Sequence, residues 1–168
     1  DSVYNATIHL IEQGFSKITY VGPQTSQQQM MDRLNGYLKA MTEHSLKKAV
    51  IELKSPLEVD TELKDVLVNS LPEAFIFAAN YITMHAIRTI MAVDQSIFNK
   101  VGIISFDDLE LFKFLPVPIT AIEQPIKIIA EKIMDVMLKR LTGKGGAKSI
   151  QQTVNTSMLI RLSSQKSG

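Results

Sequence analysis

Val101-Gly102-Ile103-Ile104-Ser105-Phe106-Asp107-Asp108 is an apolar run that stops at two adjacent carboxylates. Small and β-branched apolar residues without polar alternation read as a strand covered on both faces, the habit of a parallel sheet. The two charges cannot stay in a dry core, so they mark the rim of that sheet. In open α/β sheets the rim at the carboxyl ends of the strands is where ligands bind. Asp107 is therefore expected in a ligand crevice.

The same alternation runs through the residues before it. The spacing predicts strands over 17–21, 49–53 and 73–79, with helices before and between them. Val3, Ala6, Thr7, Leu10 and Ile11 share one helical face. Met30, Leu34, Tyr37, Leu38 and Met41 mark a second helix over 26–43, and Val59, Leu63, Val66 and Leu67 a third. Ile82, Ala86, Ile90 and Val93 mark a fourth. Ser55-Pro56-Leu57-Glu58 reads as a capping box ahead of the third. Short links between alternating strands and helices imply a doubly wound, mainly parallel sheet with helices on both faces. After Pro116-Val117-Pro118, a fifth strand is expected over 119–122 and a long helix over 125–141, ended by Gly143, Gly145 and Gly146. Strands over 150–154 and 157–162 follow, placed to form a hairpin. The long helix carries Ile126, Ile129, Ala130, Ile133 and Met137 on one stripe, and Ile128, Val136 and Leu138 beyond it. That is more apolar surface than one sheet face needs.

Composition narrows the chemistry. A chain of 168 residues with net charge +1 can bury a core and offers no basic face for nucleic acid. It has no cysteine, which removes disulfides, thiolate metal sites and thiol nucleophiles. No apolar run approaches the ~20 residues of a membrane span. The chain starts directly in a helical pattern, without signal-peptide features, and the expectation is a segment of a longer cytoplasmic protein. His9, His44 and His85 fall on three helices without metal-ligand spacing. Asp107, Asp108 and Glu110 form an acidic cluster, but the first strand ends without the second carboxylate a magnesium site draws on. Gly22-Pro23-Gln24 lacks the glycines of a dinucleotide loop, and no serine sits in a nucleophile elbow. No cofactor, no metal and no enzymatic reaction is expected.

The strand ends instead gather Asn80 and Tyr81 after the third strand and Phe106 and Asp107 after the fourth. Arg33 lies in the first half of the second helix, where it can reach over the rim. Amide, carboxylate and guanidinium pair with ligand hydroxyls, which donate and accept together, and aromatic rings pack on the apolar face of a sugar. Each also has a structural reading: Asp107 or Asp108 as a helix N-cap, Asn80 as the cap of the helix that follows.

Six ordered stretches carry a resemblance. They are 9–18 (His-Leu-Ile-Glu-Gln-Gly-Phe-Ser-Lys-Ile), Arg33-Leu34-Asn35-Gly36-Tyr37, 74–80 together with 101–108, 118–125 (Pro-Ile-Thr-Ala-Ile-Glu-Gln-Pro) and Leu159-Ile160-Arg161-Leu162-Ser163. Together they resemble the C-terminal part of the effector-binding region of LacI/GalR-type bacterial transcription regulators. The resemblance implies one subdomain of a periplasmic-binding-protein-like fold, closing with a second subdomain on a small effector, a sugar or nucleobase. It assigns effector contacts to Arg33, Asn80 and Asp107, and to Gln124 a position near the hinge that also lines the pocket. The chain departs from the family at Tyr81, where aspartate is usual, and at Ser105, where glycine is usual. The implied organisation is an effector-binding subdomain over 1–118, a crossover strand and long helix over 119–149 that would pack on an N-terminal subdomain, strands over 150–163 returning to the sheet, and a disordered tail over 164–168. The implied partners are the effector, a second copy in a homodimer or domain-swapped oligomer, and operator DNA reached only through an N-terminal headpiece. The alternative is the sugar-binding protein of an ABC-type transporter, which shares the fold.

Overall fold

A computed structural model describes residues 2–55, 58–142 and 153–166. The chain runs α1 (Ser2–Glu12), β1 (Ile18–Pro23), α2 (Gln28–Glu43), β2 (Ala49–Leu53), α3 (Val59–Asn69), β3 (Ala74–Phe77), α4 (Asn80–Val93), β4 (Gly102–Phe106), β5 (Thr120–Glu123), α5 (Ile126–Leu141) and β6 (Ser157–Leu159). Pro56, Leu57, Gly143, Gly145, Gly146 and the start of the expected strand over 150–154 lie outside the described residues.

One six-stranded sheet forms in the order β2-β1-β3-β4-β5-β6. β1 to β5 are parallel, and β6 joins β5 antiparallel. α1 packs with α2, and α3 with α4, so the two pairs cover opposite faces. Coverage on both faces explains why β3 is apolar throughout, β4 apolar but for Ser105, and both buried at every position. The edge strand β2 alternates in exposure instead. The aromatic core includes Tyr37, whose hydroxyl meets the Ile18 carbonyl and the Ala49 backbone, tying α2 across β1 and β2. Phe75 and Phe77 stack along one face of β3.

The C-terminal segment differs from the expected hairpin. Thr153 and Val154 are not in a strand, and Ser157–Leu159 pairs with β5, with Ala121 opposite Leu159. β5 is already aligned on β4 and offers a full row of backbone groups, whereas a hairpin between two late segments would form its own two-stranded edge. Buried hydroxyls fix the arrangement. Ser163 Oγ donates to the Ile103 carbonyl and accepts the Thr120 N–H, and Ser164 Oγ lies 2.7 Å from Thr120 Oγ1.

α5 has no buried residue. Ile126 and Leu141 are 72% and 80% exposed, and Ile133, Met134, Met137 and Leu138 each more than half exposed. No helix of the described residues is long and apolar enough to cross a membrane.

Candidate functional site

The order β2-β1-β3 reverses direction between β1 and β3. At such a switch point the helices after the two strands leave toward opposite faces and open a crevice above the strand ends. The register aligns Val21, Phe77, Ser105 and Ala121 across β1, β3, β4 and β5. One residue further, Gly22, Ala78, Phe106 and Ile122 form the rim.

Arg33 extends from α2 over this rim. Its Nη1 donates to the Ala78 carbonyl and contacts Met30 Sδ, and the guanidinium lies 3.4 Å from the centroid of the Phe106 ring. The cation therefore spans β3 to β4, held by a backbone carbonyl and a π face. Burial lowers its pKa, opposed by the fields of Asp107, Tyr20 and Tyr81. Phe106 is buried, and its ring carries the guanidinium. The glycine three residues after Arg33 has its own cause: a Cβ on Gly36 would stand 2.9 Å from the Tyr4 backbone nitrogen, so only glycine lets α1 close on α2 at that height.

Asn80 opens α4, with Ala79 at the N-cap and no side-chain cap bond. Its carboxamide, half-buried at the rim, makes no hydrogen bond among the described residues. Tyr81 is 40% exposed beside it.

Asp107 has φ +68°, the left-handed region that costs a non-glycine residue about 1–2 kcal/mol. Its N–H is held by the Ile122 carbonyl at 2.9 Å, which forces the turn. Its Oδ1 accepts from Gln124 Nε2 at 2.6 Å. Gln124, placed by sequence near a hinge, thus meets Asp107 where the chain leaves the sheet for α5. A strained backbone at a carboxylate on the rim is the pattern of a functional constraint.

Asp108 separates from its neighbour. Neither aspartate caps a helix: the 3-10 turn over Glu110–Lys113 has Leu109 at its N-cap without a side-chain bond. Both carboxylate oxygens of Asp108 accept from Arg161 at 2.7 Å, and Arg161 also donates to the Ile119 carbonyl. The guanidinium holds the Asp108 carboxyl below the usual carboxylate range, and the arginine rises in turn. Ser105 points below the rim, its Oγ 2.7 Å from Thr83 Oγ1.

Tyr20 is a rim residue that the sequence reading missed. It is 2% exposed and stacks on Tyr37 with centroids 5.5 Å apart. A Cβ on Gly22 would stand 2.7 Å from Tyr20 Cε1 and 3.0 Å from its hydroxyl, so the ring runs along the strand to the rim. The available signal was the pair Tyr20 and Gly22. Residues two apart share a strand face, and a glycine there makes room for the ring before it.

The three histidines lie elsewhere. His9 meets Ser164, His44 the Ala40 carbonyl, and His85 joins Asp60 together with Arg88 and Thr89 on the α3–α4 face. Among the described residues no group of three or more His, Asp or Glu could hold a metal ion. A cavity of about 540 Å³ lies at the opposite, amino end of the strands, lined in part by Phe15, Glu73, Phe98 and Lys166. Its charges are satisfied within the chain: Glu73 by the Ser16 and Lys17 amides, and Lys166 by Gly14 and Glu73. The rim therefore remains the candidate site. Among the described residues it offers one cation, one free carboxylate oxygen, one amide and two phenols, a set that complements a small polar molecule bearing both donors and acceptors.

Comparison with known proteins agrees with this fold. The model of the periplasmic binding protein-like domain matches residues 7–164. The HTH-type transcriptional repressor PurR of Aliivibrio salmonicida (strain LFI1238) is 26% identical over 146 residues, 84% of this chain and 44% of its own length. The lac repressor dimer bound to operator and the anti-inducer ONPF superposes with a TM-score of 0.81 at 21% identity, over 96% of this chain and 49% of that one. A LacI family regulator from Enterococcus faecium with bound ribose gives a TM-score of 0.84 at 18% identity, over 96% and 61%. The chain spans about half the length of the curated repressors it matches.

Proposed function

As this chain belongs to the family of periplasmic binding protein-like domains, we propose that it is the effector-sensing module of a LacI-type bacterial transcription regulator, and not an enzyme. The observation that supports this most is that Arg33 and Asn80 stand at the β1–β3 switch point and Asp107 on the same rim at the end of β4, with Gln124 bonded to Asp107 at the exit toward α5. A small effector, a sugar or nucleobase, is taken there. A ligand that engages Asp107 acts on the residue that Gln124 holds, and so on the segment leading out of the sheet. A ligand shifts such a system only by preferring one arrangement over the other.

In the same reading, 1–118 is the effector-binding subdomain, and the exposed apolar stripe of α5 within 119–149 packs on an N-terminal subdomain or a second copy. Ser157–Leu159 return the chain to the sheet beside β5. Operator DNA is contacted through an N-terminal headpiece in a cytoplasmic homodimer. The relatives are repressors, which favours this over a transporter's sugar-binding protein.

A thermal-shift screen of sugars and nucleobases on the full-length protein tests the proposal. A hit is expected to disappear in Asp107→Ala and in Arg33→Ala. Retention of the hit in both variants refutes the site.

A further inference from the structure

Asn80 and Asp107 both stand past the end of the ladder that joins their strands. The β3–β4 register closes at Phe77 opposite Ser105, Asn80 opens α4, and Asp107 follows the last residue of β4. Backbone pairing therefore leaves the gap between the two open. Asp107 is tied toward β5, its N–H by the Ile122 carbonyl and its Oδ1 by Gln124. Neither of those bonds reaches α4.

One buried side-chain contact crosses the gap. Thr83 lies one turn into α4 from Asn80, and its Oγ1 is 2.7 Å from Ser105 Oγ. Both residues are fully buried. Among the described residues this is the only side-chain hydrogen bond between α4 and either β4 or the turn after it. The Ala79 carbonyl, at the N-cap of α4, is 3.2 Å from Thr83 Oγ1, and the Phe106 and Asp107 carbonyls are each 3.3 Å from Ser105 Oγ. Whichever hydroxyl donates across the 2.7 Å contact, both protons find acceptors, as buried hydroxyls require. The Asp107 carbonyl takes no other hydrogen bond among the described residues. A left-handed aspartate persists only where its neighbours over-determine it, and Ser105 is the neighbour on the α4 side. The glycine usual at this position in LacI/GalR-type regulators would supply no hydroxyl.

We infer that Thr83 and Ser105 are positioning residues of the effector site: their bond holds Asn80 at a set distance from Asp107, and so selects ligands by the spacing of the two polar groups that meet those side chains. This rests on the effector-site reading above and deepens it. Both hydroxyls act from below the rim, through Asn80 and Asp107.

Hydrogen exchange of the unliganded full-length protein tests the link, and isothermal titration with D-ribose, D-galactose, adenine and uracil tests its consequence. In Thr83→Val and in Ser105→Ala the Asp107 amide is expected to exchange about three- to tenfold faster, the scale of one net hydrogen bond, and Thr83→Ser to restore the rate. A pair that only adds to global stability would speed the buried amides of β1 through complete unfolding and leave the local opening at Asp107 unchanged. A probe that binds should bind about three- to tenfold more weakly in both variants and recover in Thr83→Ser. An unchanged Asp107 amide, a rate that Thr83→Ser fails to restore, or a probe whose affinity holds in Thr83→Val and Ser105→Ala but is lost in Asp107→Ala overturns the positioning role and leaves the effector site standing. Binding indifferent to Asp107→Ala, or binding by none of the probes at millimolar concentration, overturns both.

Discussion

Cutting the Asp108–Arg161 pair should unfasten the C-terminal segment from the sheet. The two side chains are 13% and 14% exposed and make two parallel bonds of 2.7 Å, the bidentate geometry in which charge-assisted bonds are strongest. Removing one partner of a buried pair costs about 3–5 kcal/mol. Residual water access here lowers the expectation for Asp108→Ala to about 2–4 kcal/mol. At this chain length each kcal/mol moves Tm by about 2–4 °C, so the drop should be roughly 4–16 °C. Urea unfolding of Asp108→Ala, Arg161→Ala and the double variant gives the coupling directly, expected at about 1.5–3 kcal/mol. Because the Asp108 carboxyl titrates lower in the folded chain than in the unfolded one, the stabilisation is complete above about pH 4. It is lost as pH falls through the folded value. A coupling below about 0.5 kcal/mol at pH 7, or one that persists unchanged in strong acid, would refute the assignment of Asp108 to structure.

Three further outcomes are expected. Asp107→Gly should unfold at higher urea than Asp107→Ala by about 1 kcal/mol, because glycine accepts φ +68° without a Cβ penalty; equal stabilities would mean that the left-handed turn is not maintained. Gly22→Ala should lower stability by about 1–3 kcal/mol, since its Cβ meets both Tyr20 and Ala78, and combining it with Tyr20→Leu should recover part of that loss in the same assay. Thr83→Val should cost about 0.5–1.5 kcal/mol by removing one bond of the buried Ser105 hydroxyl, which still reaches the Phe106 and Asp107 carbonyls, and the pair Thr83→Val with Ser105→Ala should cost less than the sum.

Much of the fold was legible locally. The strand predicted over 49–53 is Ala49–Leu53, and the helix over 125–141 is Ile126–Leu141. Periodicity and β-branched runs are properties of adjacent residues, so they survive translation into structure. The rim was legible for the same reason, since the end of a buried strand is where its apolar run stops. Arg33 and Asp107 stand where that logic put them, although Phe106 supports the guanidinium and Asp108 is tied to Arg161. The late hairpin was misread because the partner of a strand is not encoded in its own alternation. Ser157–Leu159 chose an edge that exists only after β5 has docked.

By itself, then, the sequence determined a parallel α/β sheet, its near-complete order of elements and a polar rim after the fourth strand. Tertiary structure alone decided which polar residues of that rim are spent and which are free. Asp108 finds its partner 53 residues away, Gln124 meets Asp107 across 17, and Tyr20 reaches the rim because Gly22 and Tyr37 leave it one path. Such pairings depend on strand order and register, which are set by the packing of the whole chain and not by any local pattern.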